Sequence, residues 1–432
     1  MPINPLLLTG QAKPFPTYAA ARRDEPVSVL PGFNVWSVTR YDDCLGILRN
    51  PEVFSSNGAQ YGPRMLAQLQ EAGNGPQQSM LTLDPPQHTR LRSMVNKAFT
   101  TRMVAQLEPR IRRIADELLD AVADSGRIDI IEDLAYPLPV IMIAEILGVP
   151  PEDRDDFKRW SDALVAGLGN GLITPQITAE ALAARQEFID YFTRFFEIRR
   201  ADPRDDLVSN LLKLEAEGDH LSPDELMAMC ILLLVAGNET TTNLIGNAML
   251  ALTEHPEARG RLLADPSLVP AAIEEVLRCY GPVQATIRFP RQDVELRGQQ
   301  IGASQPVVVW LASANRDEAA FPNAESFDIT REENRHLAFG LGVHFCLGAP
   351  LARLETKVAL ESILRRLPSF RRVDDADLPR ISSFIFYGVK SLPLAFDAAV
   401  AVGGSPLPRP LPHCVMEGSL THRFSQPQQP TV

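Results

Sequence analysis

The chain has 432 residues, 45% of them apolar, enough for one large core or two to three small ones. A formal charge of −12 and a pI near 5.2 argue against general binding to nucleic acid or to an acidic membrane, either of which needs a net cationic face, and leave small molecules as the expected substrates. Five cysteines, odd in number and without CxxC spacing, suit a reducing compartment better than a disulfide framework; the start MPINPLLLTG lacks the basic region of a signal peptide, and the apolar stretch Leu226 to Gly237 is too short to span a bilayer. A soluble cytoplasmic protein is expected.

FNVWSVTR before Tyr41 to Arg49 reads as a strand and then a short helix, with Cys44, Leu45 and Leu48 at helical spacing. Residues 55–79, rich in Gly, Gln, Asn and Pro, predict a long surface excursion. From Asp84 to about Arg200 helical periodicity prevails, as in RIRRIADELLDAVADSG, whose glycine stands where a helix C-cap would want one. A second helical block over 204–280 contains Ser222-Pro223-Asp224-Glu225, a capping box with proline at the first helical position. The helix it starts should end before Pro256, which gives about thirty residues, or roughly 45 Å, and makes it a core axis. In its middle Ala236-Gly237-Asn238-Glu239-Thr240-Thr241 sets a glycine, an acid and an alcohol beside the run ILLLVAG. The Thr240 hydroxyl can bond the Ala236 carbonyl one turn back, a contact that bends helices and opens a groove.

Glu275 and Arg278 in EEVLR lie three apart on the next predicted helix, hence on one face, where they can form an ion pair. Short β-like runs, RFPRQDVEL and PVVVW, follow, and a further helix begins after Gly348. No fixed-period repeat and no Gly/Ser linker occurs before residue 400, whereas the last thirty residues are proline-rich and polar and are expected to be disordered.

FGLGVHFCLG, from Phe339 to Gly348, places a phenylalanine, three glycines, a histidine and a cysteine at fixed offsets. With the Glu239-Thr240 helix, the EEVLR pair and ANRDEAAFPNAESFDITR ahead of the cysteine, it resembles the haem loop and ordered motifs of soluble bacterial cytochrome P450 enzymes, from about Val27 to Asp397. The resemblance implies a mainly α fold with a smaller β portion, one haem domain over 1–398 and a tail over 399–432. It also implies a monooxygenase with haem b, and Cys346 as its proximal iron ligand. A thiolate there donates electron density that favours O–O cleavage. Glycines 340, 342 and 348 would take φ > 0 and direct N–H groups at the sulfur, with Phe339 packed beside it.

Haem propionates need cations or donors. His88 and Arg92, four apart and so on one helix face, match two of the family's contacts, and Arg288 and His344 match two more. Glu239 and Thr240 would manage protons, Ala236 would border the haem, and Glu275 with Arg278 would support the loop as structure. Glu239 stands where some relatives have aspartate. The substrate pocket by analogy comprises the Gln60 to Leu81 loop, Ala236, Val283 to Ala285, Ile385 and Phe386, which suggests a hydrophobic small molecule. Electrons would come from a ferredoxin or flavodoxin with its reductase, drawn to a proximal surface made positive by Arg102, Arg110, Arg112, Arg113 and Arg353. A monomer is expected, with no nucleic-acid or membrane partner. The alternatives are an H2O2-using peroxygenase, in which the acid and alcohol are typically absent, and a haem-binding sensor without turnover.

Overall fold

The computed structural model describes Ile3, Gln11 and residues 13–30, 34–62, 79–167, 174–216 and 221–397. The expected tail over 399–432 lies outside the described residues, as do 63–78 of the expected substrate loop. The first elements are α1 (Phe15–Asp24), β1 (Val27–Leu30), β2 (Val35–Val38), α2 (Tyr41–Arg49), β3 (Phe54–Ser55) and α3 (Gly58–Tyr61). A helical stretch follows: α4 (Gln87–Ala98), α5 (Thr101–Gln106), α6 (Glu108–Val122), strand β4 (Arg127–Asp129), α7 (Pro137–Leu147), α8 (Arg154–Gly167), α9 (Pro175–Ala201) and α10 (Leu207–Ala216). Then come α11 (Pro223–Glu254), α12 (Pro256–Ala264) and α13 (Val269–Tyr280), and after them β5 (Thr286–Pro290), β6 (Val294–Leu296), β7 (Gln299–Ile301), β8 (Val307–Val309) and α14 (Leu311–Ala314). The last are α15 (Ala349–Arg366), β9 (Arg371–Arg372) and β10 (Pro393–Ala395).

Valine-rich runs pair into a sheet of order β1-β2-β8-β5-β3, in which β2 and β8 are parallel and β5 and β8 antiparallel. Arg288 stands opposite Val307 in that register, so the sheet fixes where its side chain leaves the backbone. The larger core is helical. α11 runs through it as the sequence predicts: Ser222 Oγ accepts from the Glu225 N–H (3.2 Å), and the Glu225 carboxylate accepts from the Ser222 N–H (2.9 Å). Such a cap stabilises by about 1 kcal/mol. The apolar stretch thus forms part of a 32-residue helix that is long and apolar enough to cross a membrane, but 56% of its most apolar window is buried against other helices, as suits a core axis.

One local expectation changes: α6 ends at Val122 rather than at the glycine, and Gly126 takes φ +66° in the turn that leads into β4. The Glu275–Arg278 pair forms in the interior: both side chains are 0% exposed, at 2.8 Å. Arg278 also donates to the carbonyls of Asn315, Ala324 and Ser326, and Glu275 accepts from Arg331, Asn334 and the Asp328 N–H. This network ties α13 to the segment that leads into the cysteine loop.

Candidate functional site

The segment before α15 turns twice on glycine. Gly340 and Gly342 have φ +68° and +70°, and a Cβ on Gly342 would lie 2.6 Å from the Leu48 carbonyl, so this position demands glycine for space as well as conformation. Gly348 differs from expectation: its φ is −77°, an ordinary value, and a Cβ there would meet nothing closer than the Cys346 sulfur at 4.0 Å. The Cys346 N–H donates to the Phe339 carbonyl (2.9 Å), which closes the loop. Burial pushes the Cys346 thiol up, while backbone N–H groups of Gly348 and Ala349 and the charges of Arg92 and Arg353 favour its thiolate. The start of α15 thus faces the sulfur with its positive end. Phe339 lies under the Arg353 guanidinium, 4.5 Å from ring centre, and Arg353 is held by Glu274 (2.6 and 2.8 Å), which also contacts His336.

Four donors converge from three places. His88 and Arg92 come from α4, Arg288 from β5 and His344 from the cysteine loop. The His88 and His344 rings lie 4.3 Å apart, and Nδ1 and Nε2 of His88 and Nε2 of His344 are buried without a hydrogen-bond partner. Burial, with the charges of Arg288 and His88, pulls His344 down to about 3; burial pulls Arg288 down to about 10 and lowers His88 and Arg92 as well. Asp84 opposes the shifts at His88, His344 and Arg288 but bonds elsewhere, to the hydroxyl of Ser55, the N–H of Ser56 and Arg291. Buried donors are normally satisfied, and desolvated cations need anions. The set therefore fits a group that brings carboxylates, beside a thiol suited to one position on a metal. A haem has both features, so the residues present fit it.

On α11 the Thr240 hydroxyl donates to the Ala236 carbonyl at 2.7 Å, the bond expected from the sequence. Glu239 points to a neighbouring face. Burial raises its carboxyl, against a hydrogen bond from the Asn243 amide at 3.0 Å, and the Asp162 charge raises it further. Glu239, Thr242 and Asn243 line a cavity of about 230 Å³ with Tyr136, Phe386 and Lys390; neither Ala236 nor Thr240 lines it.

The expected pocket residues are only partly brought together. Val283 bridges Phe386, and the Gln284 N–H donates to the Ile385 carbonyl (2.7 Å), so these two segments are neighbours. Ala285 is the correction: it is 3% exposed and packs in a core cluster with Val308 and Trp310. The alternation that aims Arg288 at the donor cluster puts Thr286, whose hydroxyl accepts from Arg288 at 3.0 Å, on that same face. Counting back by two from Arg288 would have found Thr286. The proximal arginines also change. Arg110 pairs with Glu145, Arg112 with Glu108 and Glu361, and Arg353 with Glu274, which leaves Arg102 and Arg113 exposed with no carboxylate partner among the described residues. Asn243, Asp84 and the Glu274 clamp escaped sequence reasoning, because their partners lie far along the chain or follow from no motif.

The family model described as "Cytochrome P450" matches residues 51–266 and 261–369. Cytochrome P450 109 of Bacillus spizizenii is 44% identical over 387 residues, 88% of this chain and 91% of its own. Cytochrome P450 monooxygenase PikC of Streptomyces venezuelae is 42% identical over 404 residues, 91% and 94% of the two chains. Among solved structures, CYP109E1 from Bacillus megaterium in complex with testosterone superposes with a TM-score of 0.80 at 41% identity, covering 89% of this chain and 99% of that one.

Proposed function

Because the chain belongs to the cytochrome P450 family, we infer that Cys346 is the proximal ligand of a haem b and that His88, Arg92, Arg288 and His344 hold its propionates. The protein is a haem monooxygenase that places one oxygen atom from O2 into a hydrophobic small molecule with electrons from separate redox proteins. The observation that carries the site assignment is the set of partnerless buried nitrogens of His88 and His344 beside two desolvated arginines. When bound, the haem supplies O2 activation and oxygen-atom transfer.

The chain's own residues do the rest. The N–H groups of Gly348 and Ala349 temper the electron donation of the Cys346 sulfur. Phe339 and Gly340 shape the loop around it, and Ala236 would border the haem. Thr240, its proton engaged by the Ala236 carbonyl, presents its oxygen as an acceptor, and Glu239 holds and releases protons near it. Glu275 and Arg278 keep the loop in place without touching the reaction. Val283, Thr286, Ile385 and Phe386 bound the substrate. The substrate we propose is a rigid apolar molecule of the steroid class, by analogy with the testosterone complex of the solved relative. A ferredoxin or flavodoxin with its reductase supplies electrons, docking where Arg102 and Arg113 are free to meet an acidic carrier. The enzyme works as a cytoplasmic monomer, with 1–398 as a single haem domain.

The test is reconstitution with a ferredoxin, its reductase, NADPH, testosterone and isotopically labelled O2. The expected product is a hydroxysteroid carrying one labelled oxygen. Equal turnover with H2O2 alone, without reductant, would assign the peroxygenase reading instead. Spectral binding only of small charged compounds would remove the steroid class.

A further inference from the structure

Ile385 and Phe386 sit at the tip of a loop that packing alone does not fix. Phe386 and Ile381 each line two cavities: the one of about 230 Å³ beside α11, and one of about 10 Å³, room for a single water, that is walled by Tyr18, Gln284 and Arg380. A side chain that borders a void has no partner atoms there, so hydrogen bonds carry the position of this loop. Ser383 Oγ accepts from the N–H groups of Ile385 and Phe386 at 3.1 Å each, and the Ile381 N–H donates to the Gly388 carbonyl at 3.3 Å, so the tip is closed on itself and moves as one unit. Outward, the Gln284 N–H donates to the Ile385 carbonyl (2.7 Å) and the Tyr387 N–H to the Pro282 carbonyl (2.9 Å), which pairs the loop with the segment ahead of β5.

A further tether comes from α11. Asn247 is 0% exposed, and its amide nitrogen donates to the carbonyls of Tyr387 at 2.9 Å and Tyr280 at 2.8 Å. Turning the amide over would set its oxygen against two carbonyl oxygens, so its orientation is settled. The amide oxygen is buried without a hydrogen-bond partner, so the two donated bonds are what this polar side chain contributes at a position where a leucine would fill nearly the same volume. One turn back, loop and helix touch: a Cβ on Gly388 would run into the oxygen of Asn243, which is 1% exposed and already held to Glu239. One residue is about 100° of helix, so Ala236, Thr240, Asn243 and Asn247 fall within a strip about 60° wide. The loop is therefore bound to the strip of α11 that carries Thr240, with Asn247 about 10 Å farther along the axis.

We propose that Asn247 is a positioning residue for specificity: by tying the Tyr387 carbonyl to α11 it fixes Ile385 and Phe386 relative to Thr240, and so decides which carbon of a bound substrate is presented for oxidation. The proposal rests on the reading of Ile385 and Phe386 as residues that bound the substrate. Asn247 acts on the substrate only through the loop. A small displacement of the tip suffices, since misplacement by about 1 Å changes rates by up to about a hundredfold.

Two readouts test it on the haem-loaded protein. In fluorine NMR of the reduced, CO-bound protein labelled with fluorinated phenylalanine, the Phe386 resonance is identified by its loss in Phe386→Leu. Asn247→Leu removes both donated bonds, and Gly388→Ala pushes the loop off the helix from the other side, so each should shift and broaden that resonance. In turnover with testosterone, each should change the ratio of hydroxysteroid isomers by roughly tenfold, with the CO spectrum as in the wild type. An unmoved resonance in both variants overturns the positioning role, and a moved resonance with an unchanged isomer ratio overturns the control of specificity. Gly388→Ala decides alone if Asn247→Leu fails to load haem. A wild-type protein that oxidises no steroid is a different failure, that of the steroid reading, and the resonance then decides whether Asn247 positions the tip.

Discussion

Arg278→Met removes a guanidinium that donates to both oxygens of Glu275 at 2.8 Å and to three backbone carbonyls at 2.7 to 3.0 Å. Neither partner is exposed to water that could replace these bonds. Breaking one side of a buried pair costs about 3–5 kcal/mol. Arg331, 3.2 Å from Glu275, remains as a counter-charge and pulls the figure down, whereas each carbonyl left unpaired in the interior adds about 1–3 kcal/mol. With three carbonyls left unpaired the added cost outweighs the relief, which places Arg278→Met at about 5 kcal/mol or more, and Glu275→Gln, which keeps an acceptor oxygen, nearer 3 kcal/mol. Domains are stable by only about 5–15 kcal/mol, so Arg278→Met should yield little folded, haem-loaded protein. Urea unfolding followed by far-ultraviolet circular dichroism measures both variants. Losses under about 1 kcal/mol in each would refute the view that this pair is sealed from solvent and braces the cysteine loop.

The three loop glycines should rank by geometry: Gly342→Ala loses most haem, having both a positive φ and a blocked Cβ; Gly340→Ala loses some through strain of about 1–2 kcal/mol; Gly348→Ala stays near wild type, as haem content after purification would show. Glu355 is buried on α15, and burial alone pushes its carboxyl up to about 8. A raised acid makes the fold bind an extra proton between about pH 4.5 and 8, so stability falls as pH rises through that window. Glu355→Gln should therefore gain stability at pH 8 and little at pH 5, measured by urea midpoints at the two values. Glu274 behaves oppositely. Burial would raise it, but hydrogen bonds from Arg353 and His336, with their charges, hold it at about 2. Its contribution is present above its ordinary value of 4.5 and is lost as pH falls towards 2, so Glu274→Gln should flatten that part of the acid-unfolding curve.

The sequence made α11 legible because its signals are local: the capping box, the proline stop and the Thr240 back-bond all lie within a few residues of what they control. The same holds for the turns at Gly340 and Gly342, and for the spacing of His88 and Arg92. What escaped depends on partners far away in the chain. Arg110, Arg112 and Arg353 looked like free surface charge, but their carboxylates, Glu145, Glu361 and Glu274, come from other helices. The family analogy puts Ala285 in the pocket, whereas its packing against Val308 and Trp310 depends on segments that meet only in the folded chain. Asn243 carries no motif, and its meaning appears only when Gly388 and Glu239 close around it.

The central claim, that Cys346 binds haem iron as a thiolate, is tested most directly by the absorption spectrum of the reduced, CO-bound protein beside that of Cys346→Ala. The expected result is a Soret band at the far-red position peculiar to thiolate-ligated haem, lost in the variant. A colourless protein, or an imidazole-like CO spectrum shared by both proteins, would contradict it.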